Sequence, residues 1–227
     1  YGTFQDLGFE PDFIILKETT ITERWVMLDN MRGVTGYPSS NDPRLTADTT
    51  SAELGGAIMQ FNATGFTPVT ADDKVNGSGK NYIYMAIRRG PMATPTAATD
   101  VFSLVSQAGG YQVNRKATTG FPVDLVINTQ LSPGADKYLY DRKRGERKDL
   151  KTSQDHVEGS NSPGPVSFDF MDGVKHQLFN SANTVILSMW RRAPGYFDIV
   201  EWIGSGSART VSHNLGVAPE MIWVKDR

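Results

Sequence analysis

The sequence has no cysteine, which excludes disulfides, thiolate chemistry and cysteine-based zinc sites and leaves the compartment open. Histidine is scarce as well. His156, His176 and His213 are scattered, and none has a second histidine at ligand spacing, so no histidine metal centre is expected. No apolar run approaches the roughly 20 residues that a helix needs to cross a bilayer. The net charge is only −2 over 227 residues, so no global field marks a nucleic-acid binder. Few segments keep helical periodicity beyond two turns.

Complete catalytic signatures are also lacking. Gly204-Ser205-Gly206 is one residue too tight for a nucleophile elbow and lies in a turn-like context. Gly77-Ser78-Gly79-Lys80 imitates part of a phosphate loop but lacks the upstream glycine and the hydroxyl residue after lysine. Asp72, Asp73 and Asn76 have no distal glutamate to complete a calcium loop. Paired acids for glycoside cleavage could come from separate strands, but nothing singles out a pair. The expectation is a protein without cofactor, metal or catalytic residues.

What is present is a repeated stretch. Residues 7–17 read Leu-Gly-Phe-Glu-Pro-Asp-Phe-Ile-Ile-Leu-Lys, and residues 215–225 read Leu-Gly-Val-Ala-Pro-Glu-Met-Ile-Trp-Val-Lys, offset by 208. A weaker copy runs from Thr119 to Asn128, offset by 112 from the first. Gly8, Gly120 and Gly216 supply a turn, and Pro11 and Pro219 open an apolar run of strand length. In the middle copy the proline has moved to Pro122, and Asp124 takes the acidic slot. The unit is therefore read as a turn that feeds a buried strand, and its recurrence as internal repetition.

The offset of 112 continues without a gap. It aligns Asp29-Asn30-Met31-Arg32-Gly33 with Asp141-Arg142-Lys143-Arg144-Gly145. Here the aspartate is read as capping a turn, with glycine at positive φ. Active sites are seldom copied faithfully into each repeat of one chain. Each unit closes alike: residues 81–91 match 183–194, now offset by 103, both ending in Arg-Arg-x-Pro. The shorter offset predicts about nine extra residues in the first unit, placed in the polar run Tyr37–Thr50.

These observations predict a mostly β chain of tandem antiparallel, jelly-roll-like sandwich units with few or short helices. Residues 1–92 form unit one, 93–196 unit two, and 197–227 the start of unit three. Unit one lacks its first strand, whose counterparts are read at Val101–Val105 and at Phe197–Ile203, where apolar and polar residues alternate. Residues 90–100, with two prolines, read as a linker. The chain starts within one copy and stops just past another, which predicts a fragment of a longer protein.

One charge cluster stands out. Residues 142–151 hold six basic residues against two acids. Arg142, Lys143, Arg144, Arg147 and Lys148 are thus candidates for an anion or subunit contact, set against a solvated loop or a contact to acidic neighbours. No aromatics interleave with them, which speaks against single-stranded nucleic acid. Trp25, Trp190, Trp202 and Trp223 fall in predicted strands, where core packing competes with a sugar-stacking role.

The order Leu-Gly-x-x-Pro-acid-apolar run-Lys, then Trp25 with Asp29-x-x-Arg32-Gly33, then Tyr82-Ile83-Tyr84-Met85-Ala86-Ile87-Arg88, resembles tandem repeats of virion proteins in marine tailed bacteriophages, cyanophages included. The likeness covers Thr3–Pro91 and Ser207–Lys225 well. It is weakest in unit two, at Pro122-Val123, at Asn128 and in the loop 159–165. That resemblance implies a structural or adhesive role in a tail fibre or other exposed appendage, with no catalytic residues carried over. It implies a virion location, self-association (a trimer for a fibre), neighbouring virion proteins and a host-surface glycan as partners, with neither nucleic acid nor membrane insertion. A carbohydrate-binding module or adhesin domain is the alternative, and a glycan-cleaving enzyme the third reading.

Overall fold

The computed structural model describes residues 2–34, 42–88, 94–108, 115–145, 148–159, 166–168, 170–176 and 184–226. By contacts the chain divides into two units. One comprises Tyr1–Met92 with Ile199–His213, and the other Ala93–Asp198 with Asn214–Arg227.

Among the described residues the first unit has six strands: β1 (Gln5–Asp6), β2 (Pro11–Glu18), β3 (Val26–Asp29), β4 (Met59–Asn62), β5 (Gly65–Pro68) and β6 (Tyr82–Arg88). They form two antiparallel sheets, ordered β3-β2-β6 and β1-β5-β4. Alternation along β2 turns Ile14 and Leu16 inward, and β3 adds Val26 and Leu28. Met59, Phe61 and Phe66 of the smaller sheet complete the same core. Two inner faces that share one apolar cluster make a sandwich.

In the second unit the described residues form a 3-10 turn at Ala98–Asp100 and seven strands. These are β7 (Phe102–Gln107), β8 (Arg115–Thr118), β9 (Leu125–Gln130), β10 (Lys137–Asp141), β11 (Leu150–Lys151), β12 (Gly173–His176) and β13 (Val185–Trp190). Its large sheet is ordered β11-β10-β9-β13-β7, and β12 pairs with β8. Val126, Tyr140, Val185, Leu187 and Met189 pack against Ala117, Phe168 and Val174. The chain is thus mostly β, with antiparallel sheets throughout.

Strand register repeats with the sequence offsets. Ile14 faces Leu28 and Ile15 faces Met27; 112 residues on, Val126 faces Tyr140 and Ile127 faces Leu139. Ile15 also faces Met85, as Ile127 faces Ser188, which lies 103 after Met85. In the small sheets Asp6 faces Gly65, as Thr118 faces Gly173. A Cβ on Gly65 would fall 2.0 Å from the Gln5 carbonyl oxygen, and one on Gly173 2.0 Å from that of Ala117. Both positions therefore demand glycine for the same close backbone approach. The repeated turn also keeps its form: φ is 70° at Gly8, 83° at Gly120 and 75° at Gly216.

Two expected strands are not formed. Residues 198–206 and 214–226 contain no strand, although the pattern predicts one at Phe197–Ile203 and another after Pro219. A strand is stable only when neighbours pair its backbone and cover a face. β2 and β9 each lie between two strands; the third copy has none beside it among the described residues. Its Met221, Ile222, Trp223 and Val224 are exposed. The expected loop 37–50 and linker 90–100 are described only from Asp42 and Thr94 onward. Residues 109–110, Arg147 and residues 160–165 lie outside the described residues.

Candidate functional site

The two Asp-x-x-Arg-Gly turns are built alike. Asp29 Oδ1 accepts the Arg32 backbone N–H at 2.8 Å and Oδ2 accepts Arg32 Nε at 2.6 Å. Asp141 does the same for Arg144, at 2.9 and 2.5 Å. Gly33 and Gly145 follow with φ of 95° and 83°. The carboxylate thus holds its own turn shut after the strand, and the arginine completes the clasp.

Of the two readings of the basic cluster, a contact to acidic neighbours describes the part of it that the structure places. Arg142, Lys143 and Arg144 are buried. Arg142 Nε lies 3.2 Å from Asp124 Oδ1, and its NH2 group donates to the Val123 carbonyl at 2.8 Å. Its guanidinium also lies 5.5 Å from the centre of the Phe168 ring. Arg144 reaches Glu158 at 3.5 Å, Lys148 reaches Glu158 at 3.7 Å, and Lys151 reaches Asp136 at 2.8 Å. Acids brought from four positions compensate the charge, because burying an unpaired cation is prohibitive.

Asp124 is the hub of this network and is fully buried. Besides Arg142, it accepts the Arg192 backbone N–H at 2.7 Å. Arg192 Nε in turn donates to Asp198 Oδ1 at 2.6 Å, and Asp198 Oδ2 accepts the Asn214 N–H at 2.7 Å. The first unit carries a neutral version. Asn30, in the slot of Arg142, donates to the Pro11 carbonyl at 2.8 Å and lies 3.5 Å from Asp12.

His176 Nε2 and Gln107 Oε1 are 2.7 Å apart, and burial, with Arg115 nearby, pushes the imidazole down to about 4. Burial alone would raise the Glu18 carboxyl. Hydrogen bonds from the Thr20 hydroxyl, the Ile21 N–H and the Thr20 N–H outweigh it and hold the group below its ordinary value. Burial, helped by the Asp149 charge, holds the Tyr140 phenol well above its usual range. No cluster of three or more metal-ligating side chains occurs among the described residues.

The surface offers more than the interior. Among the described residues β6 is an edge strand, and its Ile83, Tyr84, Met85 and Ile87 are 55%, 45%, 54% and 49% exposed. The matching strand of the second unit, β13, is covered along the same edge by β7, with Ile186 facing Ser106, Ser188 facing Leu104 and Trp190 facing Phe102. Of the tryptophans, Trp202 and Trp223 are exposed, while Trp190 packs between Phe102 at 5.2 Å and Phe197 at 6.3 Å. The candidate site is thus an apolar sheet edge, with exposed aromatics elsewhere on the chain.

A domain family described as a domain of unknown function (DUF7483) matches residues 1–91 and 97–227. No curated protein and no solved structure matches the chain.

Proposed function

This chain belongs to the DUF7483 family of domains of unknown function, and on that premise we propose that it is a structural and adhesive module of a bacteriophage virion, in a tail fibre or another exposed appendage. The observation that carries the reading is the construction of one sandwich twice, in one strand register and with one clasped turn. Duplicated binding modules gain avidity, and duplicated building modules gain length, without new chemistry. The ionic groups of the second unit hold each other, which suits a scaffold. The apolar edge of β6 suits contact with another chain.

In this role copies of the chain associate, as a trimer in a fibre, and loops at the ends of the sandwiches meet the host surface. Two measurements test the reading. Sedimentation velocity across micromolar concentrations should show association, and a monomer throughout refutes it. An antiserum against the chain should decorate an appendage of purified phage particles; unlabelled particles count against the virion assignment.

A carbohydrate-binding module is the second reading, favoured by the exposure of Trp202 and Trp223. A glycan array separates the two. Binding that Trp223→Ala or Trp202→Ala abolishes supports the module, and an array without signal removes it.

A further inference from the structure

We propose that the outer face of the β8–β12 sheet is a platform for an acidic polysaccharide, built from Lys116, Phe170 and Lys175. The inference rests on the adhesive part of the reading above and names the class of surface polymer bound. Lys116 on β8 and Lys175 on β12 are direct partners in the strand pairing. Alternation turns both outward: Ala117 beside Lys116 is buried, as are Val174 and His176 on either side of Lys175. The Phe170 ring gathers the two ammoniums, with Lys116 Nζ 5.2 Å and Lys175 Nζ 5.0 Å from its centre. Lys116 also meets Asp172 at 2.6 Å. Among the described residues Lys175 forms no ion pair, so the group keeps one positive charge in excess.

The fold does not require these charges. Gln5 faces Phe66 and Asp6 faces Gly65 in the first unit, where Ala117 faces Val174 and Thr118 faces Gly173 in the second. One step along, Phe4 and Thr67 take the slots of Lys116 and Lys175. The sister sheet thus forms with no charge at either place. Like charges directly opposite on antiparallel strands are unfavourable, and the ring draws these two together. A sulfate or carboxylate that reaches both ammoniums turns that repulsion into two charge-assisted hydrogen bonds.

The platform lies on the surface, where one ion pair contributes little. A polymer that repeats its acidic group gains instead by multivalency, because many displayed copies of the chain can engage one strand of it. Single-stranded nucleic acid stacks its bases on successive exposed rings, and here one ring serves both lysines.

Biolayer interferometry on immobilised dextran sulfate, with neutral dextran as reference, tests the platform. The intact chain should bind dextran sulfate and not dextran, and about 0.5 M salt should weaken the binding. Lys116→Phe with Lys175→Thr installs the pair that the sister sheet already accommodates, and should cut binding by about tenfold or more. Lys116→Arg with Lys175→Arg should retain it. Lys137→Gln with Lys225→Gln removes the same charge from exposed positions elsewhere and should leave binding within about twofold. Peptide-resolved hydrogen exchange of β8 and β12 reports whether the sheet stays intact. If the double variant opens it, Lys175→Gln, which keeps the Lys116–Asp172 pair, carries the same test. Polygalacturonate in place of dextran sulfate separates carboxylate from sulfate, and binding of either polymer supports the platform. An equal loss in the Lys137/Lys225 variant overturns the site in favour of net charge. Equal binding of a single-stranded oligonucleotide overturns the saccharide. An intact chain that binds neither acidic polymer refutes the platform and leaves the virion assignment to sedimentation and antiserum labelling.

Discussion

Removing the Asp124 carboxylate should loosen the second unit far more than the same change in the first. In Asp124→Ala the buried Arg142 loses its partner at 3.2 Å, and the Arg192 N–H loses its acceptor at 2.7 Å. Breaking a buried ion pair by removing one partner costs about 3–5 kcal/mol. The first-unit equivalent, Asp12→Ala, removes only a contact at 3.5 Å to the neutral Asn30, for which about 0.5–1.5 kcal/mol is expected. The two units need not melt together, so a single global unfolding energy is the wrong readout. Hydrogen exchange resolved by peptide is the right one. Amides of β9, β10 and β13 should exchange about two to three orders of magnitude faster in Asp124→Ala, at tenfold per about 1.4 kcal/mol. Those of β2 and β3 should stay unchanged. Adding Arg142→Leu should restore part of the protection, since the stranded charge goes with it. Equal effects of the two aspartate substitutions, or no rescue by the leucine, would refute the reasoning.

The His176 imidazole, pushed down to about 4 in the folded unit, binds its proton more readily when unfolded. Stability should therefore be full above pH 6.5 and fall by about 3 kcal/mol as pH drops towards 4, a slope that urea unfolding would show and His176→Gln would flatten. Gly65→Ala and Gly173→Ala each put a Cβ 2.0 Å from a backbone carbonyl oxygen, so both should break the pairing of the small sheet. Gly8→Ala and Gly120→Ala meet nothing within 4 Å and should cost only the left-handed backbone strain, about 1 kcal/mol; thermal melts that rank the pairs the other way contradict this. Trp223→Ala should leave both units within about 0.5 kcal/mol of the parent in the same melts, because the side chain is exposed.

What could be read before the fold was known is what depends on neighbours in sequence. Asp29 and Arg32 are three residues apart, so the spacing already contains the clasp. Gly8 and Pro11 likewise announce a turn and a strand start. A contact of the 142–151 cluster to acids was one reading of the sequence, but which acids was not readable, because most of them come from elsewhere in the chain. Asp124 lies 18 residues before Arg142 and 68 before Arg192. A run of basic residues ordinarily implies a solvated loop; only distant acids folded against it turn it into an interior.

The sequence by itself determined a β chain, a module copied along it, and the turns where each copy begins, since strand periodicity, glycine and proline act over a few residues. Tertiary structure decided how the copied strands pair. Residues 11–18 form β2, paired by β3 on one side and by β6 on the other, and β9 is paired in the same way by β10 and β13. A strand has no hydrogen-bond partners within itself, so its existence is settled by chain brought from far away.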